Sequence, residues 1–401
     1  MARVLQEAET TITIKDHILF LSTVFFFWFA TYIYVPTFSL YLEQRNFSYA
    51  AIGIILGSYG VTQVLIRFPL GILSDMLQRI RKQLYIGGFG VAAISGIMFV
   101  YLDSFTAILI ARLLAGITAS MWVMATVIYA QYFLRSQSSR AMGTLQFLTV
   151  MPQFISMAIA GFLVQGFGWN LPFWVAVAAS LCGMFLALFI KDLPVERTTT
   201  EVKPRVADYI KRTLQVPSLI SITALSMIGH GILFITIFGF TPLYASRIGV
   251  DEGSLFWIVT AFFIPHAIAS LGLAFISLKE SQIQLILVGS LLVTAGCMFV
   301  LPFTQTLITL SMVHAVIGLT LGLFLPLLLG KIASLPVQSI RTSVMGFYQS
   351  FYALGIFLGP LIAGAIAQSF GLRETFWFGA ILALIAMPLL LKTKVKSTSP
   401  A

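Results

Sequence analysis

The chain has 401 residues, of which 59% are apolar and only 9% charged, whereas a soluble domain carries about 25% charged residues. Its 24 basic and 14 acidic side chains cannot cover a water-soluble surface of this length, which excludes a soluble enzyme. The mean hydropathy of +0.97 instead marks a polytopic membrane protein.

Residues 1–16 are polar, and the first apolar run is too long for a signal-peptide core, so it reads as a retained first span. A helical span needs about 20 mostly apolar residues. Runs that satisfy this fall near 17–42, 50–73, 83–101, 105–133, 141–166 and 170–190, then 218–244, 253–278, 282–302, 305–330, 341–368 and 372–391. They lack period-2 alternation and exceed the length of a barrel strand, so an all-α protein with twelve transmembrane helices is predicted. Cys182 and Cys297 both lie inside apolar runs, with no Cys-x-x-Cys or Cys/His cluster to support a disulfide framework or a metal site.

An even span count puts both termini on one side. With that side cytoplasmic, the inner segments hold nineteen of the 24 basic residues, the outer loops hold only Arg45, Arg247 and Arg373, and Arg67 and Arg112 lie within spans. This asymmetry is the positive-inside signal of a multi-pass protein of the cell membrane. The net charge of +10 thus reflects topology, and no nucleic-acid partner is expected. The one long polar connection, 191–217, is basic and rich in Pro and Thr. It divides the chain into a six-span bundle at 1–190, a cytoplasmic linker, and a second six-span bundle at 218–401.

The two bundles repeat each other at a shift of about 203 residues. Met142-Gly143 recurs as Met345-Gly346, Gln146 as Gln349, Phe173-Trp174 as Phe376-Trp377, and Leu40-Tyr41 as Leu243-Tyr244. Ser48 and Asp251 recur as N-caps of the spans that follow them. Parallel six-span repeats are a transporter layout in which the halves rock about a central site.

On these residues the chain resembles the major facilitator superfamily over essentially its whole length. The loop Gly71-Ile-Leu-Ser-Asp75-Met-Leu-Gln78-Arg79 is similar to the family's Gly-x-x-x-Asp-Arg-x-Gly-Arg-Arg loop, with Met76 and Gln78 departing from it. The resemblance implies gating roles for Gly71, Asp75 and Arg79. Arg112-x-x-x-Gly116 resembles the Arg-x-x-x-Gly motif of proton-coupled exporters, and His314-x-x-x-Gly318 is its counterpart in the second half. Gly355-x-x-x-Gly359-Pro360 is similar to the Gly-x-x-x-Gly-Pro stretch that exporters carry in span five. Here it stands in span eleven, where tight packing and a kink imply gating.

All fourteen acidic residues fall in loops or at span ends. The ionisable groups within spans are Arg67, Arg112, His230, His266 and His314. With Gln63, Gln131, Gln146, Gln153, Gln349, Tyr32, Tyr348 and Tyr352, they form the candidate lining of a basic cavity. Embedded cations without counter-carboxylates call for an anion. Histidine is the side chain that titrates nearest neutrality, so His314, then His230 and His266, are the candidate proton carriers. The three histidines stand on different helices without acidic or thiolate neighbours, so neither a metal nor a cofactor is expected.

The expected function is proton-coupled export of a small anionic or zwitterionic molecule by a monomer in the lipid bilayer. Exporters of opine-type metallophores, among those this chain resembles, carry such cargo. Broad multidrug efflux, anion uptake by symport and a lipid-linked substrate flippase are the alternatives.

Overall fold

The computed structural model describes residues 12–73, 79–133, 138–191, 193, 206–273, 275–276, 278–335 and 340–391. Asp75 and linker residues 194–205 lie outside them. Among the described residues, twelve helices are long and apolar enough to cross a membrane. In lipid the backbone must satisfy its own hydrogen bonds, and an apolar run of this length does so as a helix. The first six spans are Ile14–Gln44, Tyr49–Leu73, Arg81–Tyr101, Phe105–Ala130, Phe147–Phe167 and Leu171–Leu188. The second six are Leu219–Arg247, Leu255–Gly272, Glu280–Phe303, Leu307–Ala333, Ser343–Ser369 and Leu372–Leu390. The first and last described residues share one side of the bundle, called here the terminal side; the other is the distal side.

Local chemistry starts several spans. Thr13 and Asp16 form a reciprocal capping box at the first, with the Thr13 N–H donating to Asp16 Oδ2 at 2.7 Å. Ser104 caps the fourth span and Thr306 its counterpart, the tenth. Ser48 Oγ accepts from the Ala51 N–H at 3.3 Å and caps the second span as expected. Asp251 differs. Its carboxylate accepts from the N–H and hydroxyl of Ser254, both at 2.8 Å, so it closes a turn before the eighth span begins at Leu255. Those bonds hold the Asp251 carboxyl below its usual range. The polar linker also contains a short helix, Val206–Leu214, which packs on the eleventh span with Thr213 buried.

The repeat extends from sequence to packing. Spans two and four, three and six, and one with five and six pack together in the first half. Spans eight and ten, nine and twelve, and seven with eleven and twelve do the same in the second. Tyr41 donates to the Phe99 carbonyl and stacks edge-on against Phe173. Tyr244 donates to the Pro302 carbonyl at 2.8 Å and meets Phe376 in the same way. A Cβ on Gly116 would collide with the Tyr59 carbonyl oxygen, and one on Gly318 with that of Phe262, at matching crossings.

The halves meet along spans two and eleven and along spans five and eight. Gly53, Gly57 and Gly60 let span two lie directly on the backbone of span eleven, where any Cβ would strike Pro360, Phe357 or Ala353. On the distal side Arg247 closes the bundle, donating to Glu43 at 2.8 Å and to the Tyr49 hydroxyl at 2.7 Å. Gln368 accepts from the Tyr49 N–H at 3.1 Å.

Candidate functional site

Two irregularities shape the centre of the bundle. Span one is interrupted after Tyr32, and its second helix begins at Val35 with Pro36 at the next position, where the missing N–H breaks the ladder. Span seven relaxes into a π-helix at the equivalent height, Thr236–Phe240, ahead of Pro242. Such π segments concentrate at functional sites. They turn Tyr32 and Phe238 toward each other, with ring centroids 5.5 Å apart, one ring from each half.

Beside this pair lies a cavity of about 300 Å³. Its first-half wall is Trp28, Tyr32, Tyr59, Trp122, Gln63 and Arg67, with Thr149, Val150 and Gln153 of span five. The second half contributes His230, Phe234, Phe238, Phe262, Phe263 and His266, then Tyr348, Gln349 and Tyr352. Ser270, Leu325 and Leu329 carry the lining toward the terminal side. Among the described residues, none that lines the cavity is Asp or Glu. Among the described residues, no group of three or more His, Cys, Asp or Glu side chains could hold a metal ion.

Arg67 is the cation of this wall. It is 3% exposed, and its Nη1 donates to the Tyr352 hydroxyl at 2.9 Å while Nη2 donates to the Ala119 carbonyl at 3.2 Å. Its Nε has no partner among the described residues. The Tyr352 ring lies parallel to the His230 imidazole, with centroids 4.0 Å apart and planes 9° apart. His230 Nδ1 is 2.8 Å from the Ser226 carbonyl, which makes that nitrogen the protonated one in a neutral ring. The Ser226 hydroxyl in turn meets the Tyr348 hydroxyl at 2.8 Å. Gln63 Nε2 donates to the Tyr59 carbonyl at 2.9 Å. His266 stacks on Phe262, and its Nδ1 has no partner among the described residues.

The candidate residues therefore separate into two groups. The cavity brings together Tyr32, Gln63, Arg67, His230, His266, Tyr348 and Gln349, while Arg112 and His314 stand behind its wall. Arg112 is 1% exposed and sits in an aromatic box, its guanidinium carbon 4.4 Å from the Tyr59 ring centre and 5.2 Å from that of Phe38. Its Nη1 donates to the Tyr34 hydroxyl at 3.2 Å. His314 is fully buried between the Thr241 hydroxyl, 2.9 Å from Nε2, and the Leu310 carbonyl, 2.9 Å from Nδ1. Gln131 is also absent from the lining, and the side chain of Gln146 falls outside the described residues.

Gly71 approaches Gly346 where spans two and eleven meet on the terminal side, and Arg79 is exposed in the turn before span three. Gly355 and Gly359 pack span eleven on Met227 and Gly231 of span seven, within one half, while Pro360 faces Gly53 of the other. The aromatic wall residues Tyr59, Trp122, Phe234, Phe238, Phe262 and Phe263 escaped the sequence reading. The repeat register could have found some of them, since Tyr59 and Phe262 sit one turn before Gln63 and His266.

A twelve-helix bundle of two repeats around a central cavity is the design of a membrane transporter. The chain belongs to the Major Facilitator Superfamily, whose sequence profile matches residues 20–338 and 223–401. It is similar to the inner membrane transport protein YajR of Escherichia coli (strain K12), with 23% identity over 88% of this chain and 78% of that one. It is also similar to multidrug resistance protein 2 of Bacillus subtilis (strain 168), with 23% identity over 96% of each. Among solved structures, the nucleoside transporter NupG has the same fold, with a TM-score of 0.72 at 16% identity over 94% of this chain and 99% of that one.

Proposed function

We propose that this protein is a secondary active transporter that exports a small organic anion or zwitterion against protons by alternating access. One observation carries the reading. The Arg67 guanidinium stands in the wall of a central cavity whose lining holds no carboxylate. A cation in a low-dielectric site without a counter-charge favours an anionic ligand. The surrounding Trp, Tyr and Phe rings favour a flat apolar body on that ligand.

The placement of the cations supports cytoplasmic termini in a cell membrane. In that orientation the Arg247–Glu43 contact closes the outer side, and the lining runs inward to Ser270 and Leu329. Export draws support from the relatives named for multidrug resistance. Proton coupling draws support from the two imidazoles of the lining, His230 and His266, since imidazole is a side chain that can take up and release a proton. One chain supplies the whole cavity, which supports a monomer as the transport unit. In this reading Gly71, Asp75 and Arg79 gate the terminal side.

Broad multidrug efflux is the second reading, favoured by the aromatic share of the wall. Both are tested in proteoliposomes under imposed proton gradients of either sign, with benzoate, benzamide, phenylalanine, an opine-type metallophore and ethidium. The proposal expects gradient-driven movement of the carboxylates, with benzamide and ethidium left behind. Transport of ethidium in preference to benzoate overturns it in favour of multidrug efflux, and carboxylate movement together with protons replaces export by symport.

A further inference from the structure

We infer that the Tyr352 hydroxyl is a built-in competitor for the substrate's oxyanion: it holds Arg67 across the two halves until an anion takes its place. The inference rests on the anionic reading above and names the residue through which binding would reach the conformational change. Arg67 belongs to span two of the first half and Tyr352 to span eleven of the second, and their bond of 2.9 Å joins the halves at the cavity wall. The same seam carries the Ser350 hydroxyl bound to the Val64 carbonyl and Phe68 packed on Phe347 and Phe351.

Three features give Tyr352 this role. First, its hydroxyl is a neutral acceptor on a guanidinium that has no carboxylate partner in the lining. A carboxylate brings a full opposite charge and can accept two parallel N–H bonds from a guanidinium, which a single phenol oxygen cannot, so an incoming anion outcompetes the phenol. Second, Tyr352 is held by its ring and not by its hydroxyl, since it stacks flat on His230 at 4.0 Å. Losing the bond to Arg67 therefore leaves the side chain seated. Third, the bond spans the interface between the halves, which every transport cycle must rearrange, so giving it up to a ligand loosens the contact that holds the present arrangement. Binding and loosening become one event, and the halves stay linked through this bond when only neutral molecules enter.

The test uses the full chain with Cys182→Ala and Cys297→Ala, spin-labelled at Ile80→Cys and Ser334→Cys on the terminal side of the two halves. Without added ligand, Tyr352→Phe is expected to raise the ratio of longer to shorter inter-label distances about tenfold, as for loss of one hydrogen bond to a charged group. In an Arg67→Gln background the same substitution is expected to change nothing, an outcome that a purely structural tyrosine would not give. Benzoate is expected to bind Tyr352→Phe about tenfold more tightly than wild type, while its neutral isostere benzamide is bound equally by both. An unchanged distance ratio, or an equal response in the Arg67→Gln background, overturns the lock. A benzoate preference in wild type that Tyr352→Phe leaves unaltered overturns the competition alone and spares the anionic reading. No preference for benzoate over benzamide in either protein overturns both.

Discussion

Tyr41 and Tyr244 make the same hydrogen bond to the same turn in the two halves, whereas Arg67 and Ser270, also equivalent, present a guanidinium and a hydroxyl to one cavity. The same contrast recurs nearby. Gln63 answers to His266 in the lining, and behind the wall the charged Arg112 answers to His314. The crossings Gly116 on Tyr59 and Gly318 on Phe262 are alike. Duplication has thus preserved the groups that set helix–helix distances and let the groups facing the cavity diverge. A carrier needs both: matched packing lets the halves rock as equivalents, and an asymmetric lining gives a substrate a defined orientation.

The comparison breaks most visibly at the paired glycines. Gly116→Ala and Gly318→Ala should each cost about 3 kcal/mol, because the added carbon meets a backbone carbonyl that cannot step aside. Thermal unfolding in detergent should show losses of similar size, and a large loss in one half only would refute equivalent packing. Next comes the cavity pair. Arg67→Gln should weaken benzoate binding roughly thirtyfold, about 2 kcal/mol for a charged hydrogen bond, while Ser270→Ala should leave it within about twofold. Equal losses in a binding titration would remove the asymmetry.

Behind the wall, Arg112→Met should leave folding stability within about 1 kcal/mol of wild type, since relief of an embedded charge that has no counter-ion offsets the cost of the Tyr34 hydroxyl it orphans. His314→Leu should cost about 2 kcal/mol, because it orphans the buried Thr241 hydroxyl. Matched unfolding curves for the two variants would show the sites to be alike after all.

The smallest expected difference lies at the caps. Hydrogen bonds from Ser254 depress the folded pKa of Asp251 below its unfolded value, so its contribution is present above the unfolded pKa and fades as pH falls through the folded one. Ser48 does not titrate. The melting temperature should therefore fall more steeply with acid below about pH 4 in wild type than in Asp251→Asn, and parallel curves would remove Asp251 from the account.

What the chain declares by itself is what the bilayer imposes along one dimension. Span number follows from run length, because lipid admits only helices long enough to cross it. The repeat is equally linear, and the shift that relates Tyr41 to Tyr244 is readable without coordinates. The glycine spacing of Gly53, Gly57 and Gly60 was also open to reading, as a helix face that admits a close neighbour. Which polar residue meets the cavity was decided by tertiary structure. Arg67 and Arg112 carry the same side chain on neighbouring spans, and motif resemblance favoured Arg112. Arg67 nonetheless lines the cavity, while Tyr59 and Phe38 enclose Arg112 behind its wall. The breaks at Tyr32 and at Thr236–Phe240 decided the rest by turning aromatic rings inward. Hydropathy is a sum along the chain and survives any rotation of a helix about its axis. Cavity chemistry depends on that rotation, which is settled only when the helices pack.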